Sequence, residues 1–534
     1  MCFGVFFYNR DCSLLRSTMK INDCSVSDTK IKLYLRQLLT TLGLLIGISV
    51  SGMSNGYSAI LLPQLKAISI NGSESVDEDY FGTLSIDQES WIAAGSVLPI
   101  APGCWTGGFI VEKLGRKTSL LVLFPVYLVS WLIIGFANSV KVLIAGRLLC
   151  GYCVGVLAPI YPIYVSETSD PLLRGVLLGA LTFTLSFGIL ACHAMGTWLH
   201  WRTTAYICGV FPVISWIVCI YSQESPLWLL GKGKIEEARR SWIFLRGEES
   251  LEEFSLLESA RLAEMSGKKT GKRSLLLSLR KTWSSRYFLK PFIIVCLYFF
   301  IMQFSGTNVM SFYCVEMLAD VSDPAYAYLI TLIIDAIRII FAIIGCVLLK
   351  TCRGRTLTFV SGFGTAITLL SFSACLTFDI GRPWIPVILL VAYVGLLSLG
   401  LITLPWMLCG EVFSRKHRGL GSGLTSGFNF ICFFVVIKTM PLMVEFIKSE
   451  GTFAVYGFVT LIGTSVLYFV LPETKNKTLQ EIQMYFGQKS YTPKADSVDV
   501  SLHECFSSEK NEVDEKMMND DRLMNDDRVM TRDY

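Results

Sequence analysis

The chain alternates long apolar blocks with short polar segments. A helix needs about 20 apolar residues to cross a bilayer, and it satisfies its own backbone hydrogen bonds there. The pattern therefore predicts an all-α membrane protein with twelve transmembrane helices. The blocks cover residues 37–62, 91–111, 119–138, 142–164, 176–197, 204–221, 288–312, 325–349, 357–378, 386–409, 420–443 and 452–471.

Composition agrees with a membrane location. The 534 residues are 52% hydrophobic and 17% charged, with a mean hydropathy of +0.52, whereas soluble domains carry about 25% charged residues. The opening MCFGVFFYNR is too short an apolar stretch for a cleaved signal peptide, so the first span is expected to direct its own insertion. The 17 cysteines are scattered, mostly within the predicted spans, which favours packing roles and predicts neither a metal nor a cofactor.

The distribution of charge predicts the orientation. Loop 231–286 holds thirteen Lys or Arg against eight Glu, whereas the loop after the first span holds six acids against Lys66. Because positive residues concentrate on the cytosolic side, we expect loop 231–286 and both termini in the cytosol of a cell-membrane protein. Asn71 then lies outside as a candidate glycosylation acceptor, and the sequon at Asn476 stays bare.

Similar charged motifs recur in the same order in the two halves of the chain. Glu167 precedes Arg174-Gly175 as Glu411 precedes Arg418-Gly419, an offset of 411 − 167 = 244 residues. The arginines of two basic turns lie 355 − 116 = 239 residues apart, and the glutamates of QESP and PETK lie 473 − 224 = 249 apart. Duplicated halves are typical of secondary transporters. We therefore divide the chain into an N-terminal segment, a six-helix bundle, a cytosolic linker with short amphipathic helices, a second six-helix bundle and a tail expected to be largely disordered: 1–36, 37–221, 222–287, 288–471 and 472–534.

Seven segments in order resemble the sugar porter family of the major facilitator superfamily, over about residues 37–485. They are GGFIVEKLGRK (107–117), GRLLCG (146–151), PIYVSETSDPLLRG (162–175), QESPLWLL (223–230), QFSGTN (303–308), PWMLCGEVFSRKHRG (405–419) and PETKNKTLQEI (472–482). FNFICFFVVIKTM (428–440) and KGKIEEARRSWIFLRG (232–247) are similar to insect facilitated trehalose transporters. The resemblance implies transport of a hexose or trehalose by alternating access, by a protein that functions as a monomer in the lipid bilayer without nucleic acid.

The resemblance also implies a charged cytosolic gate, which pairs when the inside is closed and separates when it opens. Its members are Glu112, Arg116, Lys117, Arg147, Glu167, Arg174, Glu411, Arg418 and Glu473. The alternative is that these charges only set the topology. The second copy departs from the family pattern, because Lys350 stands where an acid is usual.

Polar side chains within the spans are candidates for a sugar site. Amides both donate and accept hydrogen bonds, and an aromatic ring covers a sugar face; these needs select Gln303, Asn308, Asn429 and Trp406. The alternative is that the amides only join helices, at about 0.6 kcal/mol each. Two family glutamines are replaced, by Met302 and Phe183, which suggests an altered sugar preference or another solute.

Two charges interrupt the eighth span, LITLIIDAIRIIFAIIG (329–345). A lone charge at the bilayer centre costs about 2.5–3.5 kcal/mol on insertion scales. Asp335 and Arg338 are three residues apart and can pair on one helix face. We expect the pair to face the central cavity, where Arg338 binds substrate or Asp335 carries a proton; a self-neutralised structural pair is the alternative.

Coupling and rival classes remain open from the sequence. The first span has no acid in residues 37–65, and proton-coupled members of the resembled family carry one there, which favours facilitated diffusion over proton symport through Asp335. His193 is assigned to packing. A transport-inactive sugar sensor with a long polar tail is a further alternative. An enzyme is disfavoured, because the chain has four histidines and no HExxH or nucleophile elbow.

Overall fold

Helices carry nearly all of the residues that the computed structural model describes, which are 24–71, 84–267, 286–319, 324–378, 384–413 and 418–472. The first half and the linker contain α1 (Cys24–Asn71), α2 (Ile86–Ala94), α3 (Ile100–Leu114), α4 (Arg116–Gly135), α5 (Val140–Thr168), α6 (Pro171–Trp198), α7 (Trp201–Ile220), α8 (Pro226–Gly231), α9 (Ile235–Arg246), a 3-10 turn (Glu248–Ser250) and α10 (Leu251–Gly267). The second half contains α11 (Arg286–Phe304), α12 (Val309–Ala319), α13 (Pro324–Thr351), α14 (Gly354–Thr377), α15 (Trp384–Leu399), α16 (Leu404–Glu411) and α17 (Arg418–Val470). No strand occurs among these residues.

Helix lengths agree with the predicted membrane fold. Ten helical runs in the described residues are long and apolar enough to span a bilayer. The last, Leu420–Val470, has 51 residues, which is about 75 Å of helix at about 1.5 Å per residue. It turns at Lys448, where φ is 58°, so it supplies two crossings. Helices α2 and α3, each too short alone, together fill the position of the second predicted span.

Two spans of the second half are broken near their middle. The seventh span stops at Phe304 and resumes at Val309, with Gly306 at φ 79°. A left-handed backbone favours glycine, and a Cβ at Gly306 would meet the Tyr393 hydroxyl at 3.2 Å. The tenth span breaks between α15 and α16, where Gly400 lies against the Leu357 carbonyl of α14. Both breaks are short, so the helices on either side continue one crossing each.

The two halves touch along three seams. Helix α1 packs on α12, α6 packs on α13, and α2 and α3 pack on α17. We call the end of the bundle that carries Asp87, Glu89 and Glu316 the acidic end, and the end that carries Arg116, Glu167 and Glu224 the basic end. Successive spans run in opposite directions. The order of a helix along the chain therefore shows which of its termini lies at the acidic end.

The linker forms a small helical cap at the basic end. Trp242 of α9 packs on Phe254 of α10, with Leu229 and Leu230 of α8 in the same apolar cluster. Gln37 joins this cap to the bundle, since its Nε2 donates to the Leu245 carbonyl at 2.9 Å. The cap is therefore held to the start of α1 by backbone contacts as well as by apolar burial.

Candidate functional site

Glu224 of QESP caps the helix that follows the basic turn. Its carboxylate accepts hydrogen bonds from the backbone N–H groups of Arg116 at 2.8 Å, Lys117 at 3.1 Å and Thr118 at 3.4 Å. A helix begins with unpaired N–H groups and a partial positive charge, so a carboxylate there stabilises it. The sequence motif thus fixes the position of Arg116 at the start of α4.

Arg116 forms a two-pronged ion pair with Glu167 at the end of α5. Its Nε donates to Oε2 and its Nη2 to Oε1, both at 2.7 Å, and the side chains are 13% and 15% exposed. Paired, partly buried contacts of this geometry are the stronger kind. Lys117 instead donates from Nζ to the carbonyls of Ile220 and Ser222, at 2.8 and 2.7 Å. These contacts all lie within the first half and the start of the linker.

The other predicted gate residues have different surroundings. Glu112 has an exposed side chain, and its carbonyl accepts from the Trp228 indole at 3.0 Å. Arg174 donates to the Ser169 carbonyl at 3.4 Å. Glu411 and Arg418 end α16 and begin α17, whereas Glu473 lies outside the described residues. Their place in the gate stays a prediction.

The assignment of Arg147 to the basic end is wrong. Arg147 and Glu167 are 20 residues apart on α5, which is about 30 Å along a helix. The fully buried guanidinium donates to the carbonyls of Ile92 and Ser54, at 3.2 and 3.0 Å, and to the Ser58 hydroxyl. Arg147 therefore joins α1, α2 and α5 in the half of the bundle nearer the acidic end.

Three of the predicted amides form one hydrogen-bonded chain. Asn308 Nδ2 donates to Gln303 Oε1, and Gln303 Nε2 donates to Asn429 Oδ1, both at 2.8 Å. Gln303 and Asn429 are 1% exposed, whereas Asn308 is partly exposed. This chain of hydrogen bonds crosses the break between α11 and α12 and joins it to α17. Of the three amides, only Asn308 is open to a solute in this conformation.

Trp406 lies beside the same elements. Its ring meets Phe299 of α11 edge-on at 5.0 Å and lies 6.2 Å from Phe430 of α17, the neighbour of Asn429. The side chain is 41% exposed. The break before α16 thus presents a half-exposed aromatic ring next to the helices that carry the amide chain.

The residues at the two replaced glutamine positions have different environments. Met302 is buried next to Gln303, whereas Phe183 is partly exposed and stacks on Phe187 with ring centroids 6.5 Å apart. Phe183 therefore places apolar surface on α6 where an amide is usual in the resembled family.

The charges of the eighth span are buried. Asp335 is 2% and Arg338 is 8% exposed, and their closest atoms are 3.7 Å apart. Asp335 Oδ2 lies 2.5 Å from Nδ1 of His193 on α6, while Arg338 Nη1 donates to the Ser311 hydroxyl at 2.6 Å. His193 is buried, as expected of a packing residue, but it is also the nearer hydrogen-bond partner of Asp335, a contact that the sequence did not indicate.

Ion pairs that the sequence did not point to join the halves at the acidic end. Lys438 of α17 contacts Asp87 Oδ1 and Ser90 Oγ, both at 2.6 Å, and lies 4.5 Å above the Trp91 ring. Lys66 of α1 contacts Glu89 at 3.0 Å and Glu316 of the second half at 3.1 Å. The acidic loop and a lysine inside the eleventh span were the available signals, but only the fold pairs them.

Comparison of the sequence with known proteins identifies its family. The sequence model described as "Sugar (and other) transporter" matches residues 37–486. The chain belongs to this family. It is 30% identical over 455 residues to the facilitated trehalose transporter Tret1 of Polypedilum vanderplanki, covering 84% of this chain and 87% of that protein.

Further relatives agree with the assignment. The chain is 31% identical to Tret1 of Drosophila grimshawi over 84% of its own length, and this match spans 47% of that longer protein. The inward-open conformation of the xylose transporter XylE from E. coli has a TM-score of 0.69, with 17% identity, over 85% of this chain and 99% of that one. The chain thus shares the fold of this transporter and is a multi-pass member of the sugar transporter family.

Proposed function

We propose that the protein moves trehalose or a hexose across the cell membrane by facilitated diffusion, using alternating access. The observation that carries the proposal is the broken seventh span, beside which Asn308, Gln303 and Asn429 form one hydrogen-bonded chain within the second half. Discontinuous helices near the midplane are where transporters of this plan bind solutes. The relatives named for facilitated trehalose transport support the substrate class.

The proposed orientation places the basic end and both termini in the cytosol. Positive loops favour the cytosolic side, and the basic turn at Arg116 and the linker cap lie at this end. The acidic end then faces outward, with Lys66–Glu316 and Lys438–Asp87 closing the outer side of the bundle. The protein is proposed to work as a monomer, because one chain supplies both halves.

Different members of the amide chain have different proposed roles. Asn308 and Trp406 touch the sugar, because they are the partly exposed members of the cluster. Gln303 and Asn429 hold Asn308 in place through bonds of 2.8 Å. Arg338 of α13 donates to Ser311, which lies about one turn of α12 beyond Asn308. We therefore assign Arg338 to the edge of the same site.

The cytosolic gate is proposed to combine both halves. Arg116 and Glu167 form the N-terminal part, and their pair stays within its own half. Glu411, Arg418 and Glu473 would supply the equivalent part of the second half when the inside closes. Because several such charges leave water together, their pairing can shift a two-state equilibrium by a few kcal/mol.

Uptake by oocytes tests the function. We expect saturable uptake of radiolabelled trehalose or glucose that does not require a proton gradient. Asn308→Ala is expected to raise the KM at least tenfold, since it removes a donor to the sugar, whereas Asn138→Ala, outside this cluster, should leave it unchanged. Surface labelling corrects for expression. If wild-type protein at the surface moves none of the sugars tested, the proposal fails, and sugar binding without flux would indicate a sensor.

A further inference from the structure

A buried histidine and a buried carboxylate meet across the two halves. His193 belongs to α6 and Asp335 to α13, and Nδ1 lies 2.5 Å from Oδ2 with the side chains 1% and 3% exposed. The other ring nitrogen, Nε2, lies 3.1 Å from the Gly56 carbonyl of α1. His193 thus has an acceptor at each nitrogen and is fixed between three helices.

This geometry fixes the number of protons that the pair holds. A carbonyl only accepts, so Nε2 must carry a hydrogen. Nδ1 and Oδ2 can be 2.5 Å apart only with a proton between them, whether it resides on the imidazole or on the carboxyl. Without that proton, two lone pairs would face each other in a buried site, which is costly. The joined halves therefore bind one shared proton here.

Asp335 keeps a charged neighbour, Arg338, when it separates from His193. Arg338 lies 3.7 Å from Asp335 on the same helix, so it stays with the carboxylate when α6 moves away. Cys314 of α12 lies close to Asp335 and Arg338, and its sulfur accepts a weak hydrogen bond from Thr331 of α13 at 3.4 Å. Among the described residues, Asp335 is the one carboxylate that contacts His193. Separation would leave Asp335 ionised beside Arg338 and His193 in contact with water.

We propose that His193 and Asp335 form a proton-binding site that the protein fills when its outer side closes and empties when that side opens. The proposal rests on the alternating-access part of the proposed function. The acidic-end pairs Lys66–Glu316 and Lys438–Asp87 join the same two halves, so a movement that separates them also draws α6 from α13. The proton is released to water as the pair parts.

Burial determines which solution the site samples. In the closed arrangement the pair is nearly inaccessible, so the proton cannot leave toward the cytosol. In the open arrangement the site faces outward. Protons therefore exchange with the external solution alone, and each cycle returns the proton to the side from which it came. The device senses external pH and moves no net proton with the sugar.

The sign of the pH effect follows from the proton count. The outward-closed state binds one more proton than the outward-open state, so acid favours the closed state and its population falls as the external pH rises. One proton of difference changes the ratio of the two states at most tenfold per pH unit. Free histidine titrates between about pH 5 and 8, which sets the range to examine.

Fluorescence energy transfer at the acidic end tests the site in the full-length protein. Donor and acceptor amino acids are placed at the exposed positions Gln88 and Glu445, and external pH is varied from 5 to 8 with internal pH held constant. We expect the outward-open fraction to rise several-fold over this range. His193→Gln and Asp335→Asn should each abolish the dependence, whereas His200→Gln, at the cap of α7, should retain it.

Several outcomes overturn the inference. They are a wild-type outward-open fraction that ignores external pH, an unchanged slope in both His193→Gln and Asp335→Asn, or proton uptake in step with sugar uptake. Sugar flux is measured on the same cells. Flux without pH dependence removes the proton site and leaves the proposed function, whereas a pH-dependent signal without flux of any sugar removes the function and leaves the site. If one variant is absent from the surface, the other decides.

Discussion

Lys438 provides a direct measure of what holds the acidic end closed. Its ammonium contacts Asp87 and Ser90 at 2.6 Å and the Trp91 ring at 4.5 Å, and these partners all belong to the other half. Lys438→Met keeps the apolar stem and removes the charge. The closed state alone contains the contacts, so the change acts on the balance between closed and open.

The exposure of Asp87 and Lys438 sets the expected energy of their contact. Asp87 is 73% exposed and Lys438 18%, so the ion pair is worth about 0–1 kcal/mol. The cation–π contact with Trp91 adds about 0.5–1 kcal/mol. The sum of about 0.5–2 kcal/mol predicts that the outward-open to outward-closed ratio rises roughly 2- to 30-fold.

The assay is energy transfer between Gln88 and Glu445 in detergent or nanodiscs at fixed pH. Lys141→Met, which removes an exposed lysine at the same end, is the matched control and should leave the ratio unchanged. In a double-mutant cycle, Asp87→Asn should have a smaller effect once Lys438 is replaced. A ratio for Lys438→Met within twofold of wild type would refute the reasoning that this contact holds the halves together.

Three further predictions test separate parts of the account. Glu224→Ala should lower stability by about 1–2 kcal/mol, because it uncaps Arg116 at the start of α4; an unchanged melting temperature in detergent would contradict this. Gly306→Ala should cost about 1–2 kcal/mol, since a side chain at φ 79° is strained, and a stability equal to wild type would show that the break relaxes freely. Asn71→Gln should remove a glycosidase-sensitive shift in gel mobility, and the absence of any shift in wild type would exclude modification there.

Much of the fold could be predicted because span length and charge asymmetry are local properties. Twelve apolar blocks of bilayer length gave the membrane fold, and the recurring basic turns indicated duplication. The breaks were harder to place. In the tenth span the helix stops at Leu399 and resumes at Leu404, so Pro405 lies in the first turn of α16. Pro99 lacks a backbone N–H and stands at the start of α3, where the second span divides after α2.

The site shows where sequence reasoning stops. Gln303 and Asn308 are five residues apart and form one hydrogen-bonded chain with Asn429, but the sequence could not tell which amide stays exposed. Asp335 and Arg338 were paired from helical spacing alone. The nearer partner, His193, lies 142 residues away along the chain, and such a contact depends on how two helices from different halves pack. Residue type and spacing carry no information about that packing.

Counterflow in sealed proteoliposomes examines whether the protein carries sugar while open to one side at a time. Vesicles containing purified protein are loaded with unlabelled trehalose or glucose and diluted into a trace of the labelled sugar. A carrier that opens to one side at a time accumulates label transiently above its equilibrium level, and we expect this overshoot without a proton gradient. Label that enters no faster than into protein-free vesicles, for each sugar tested, would contradict the account.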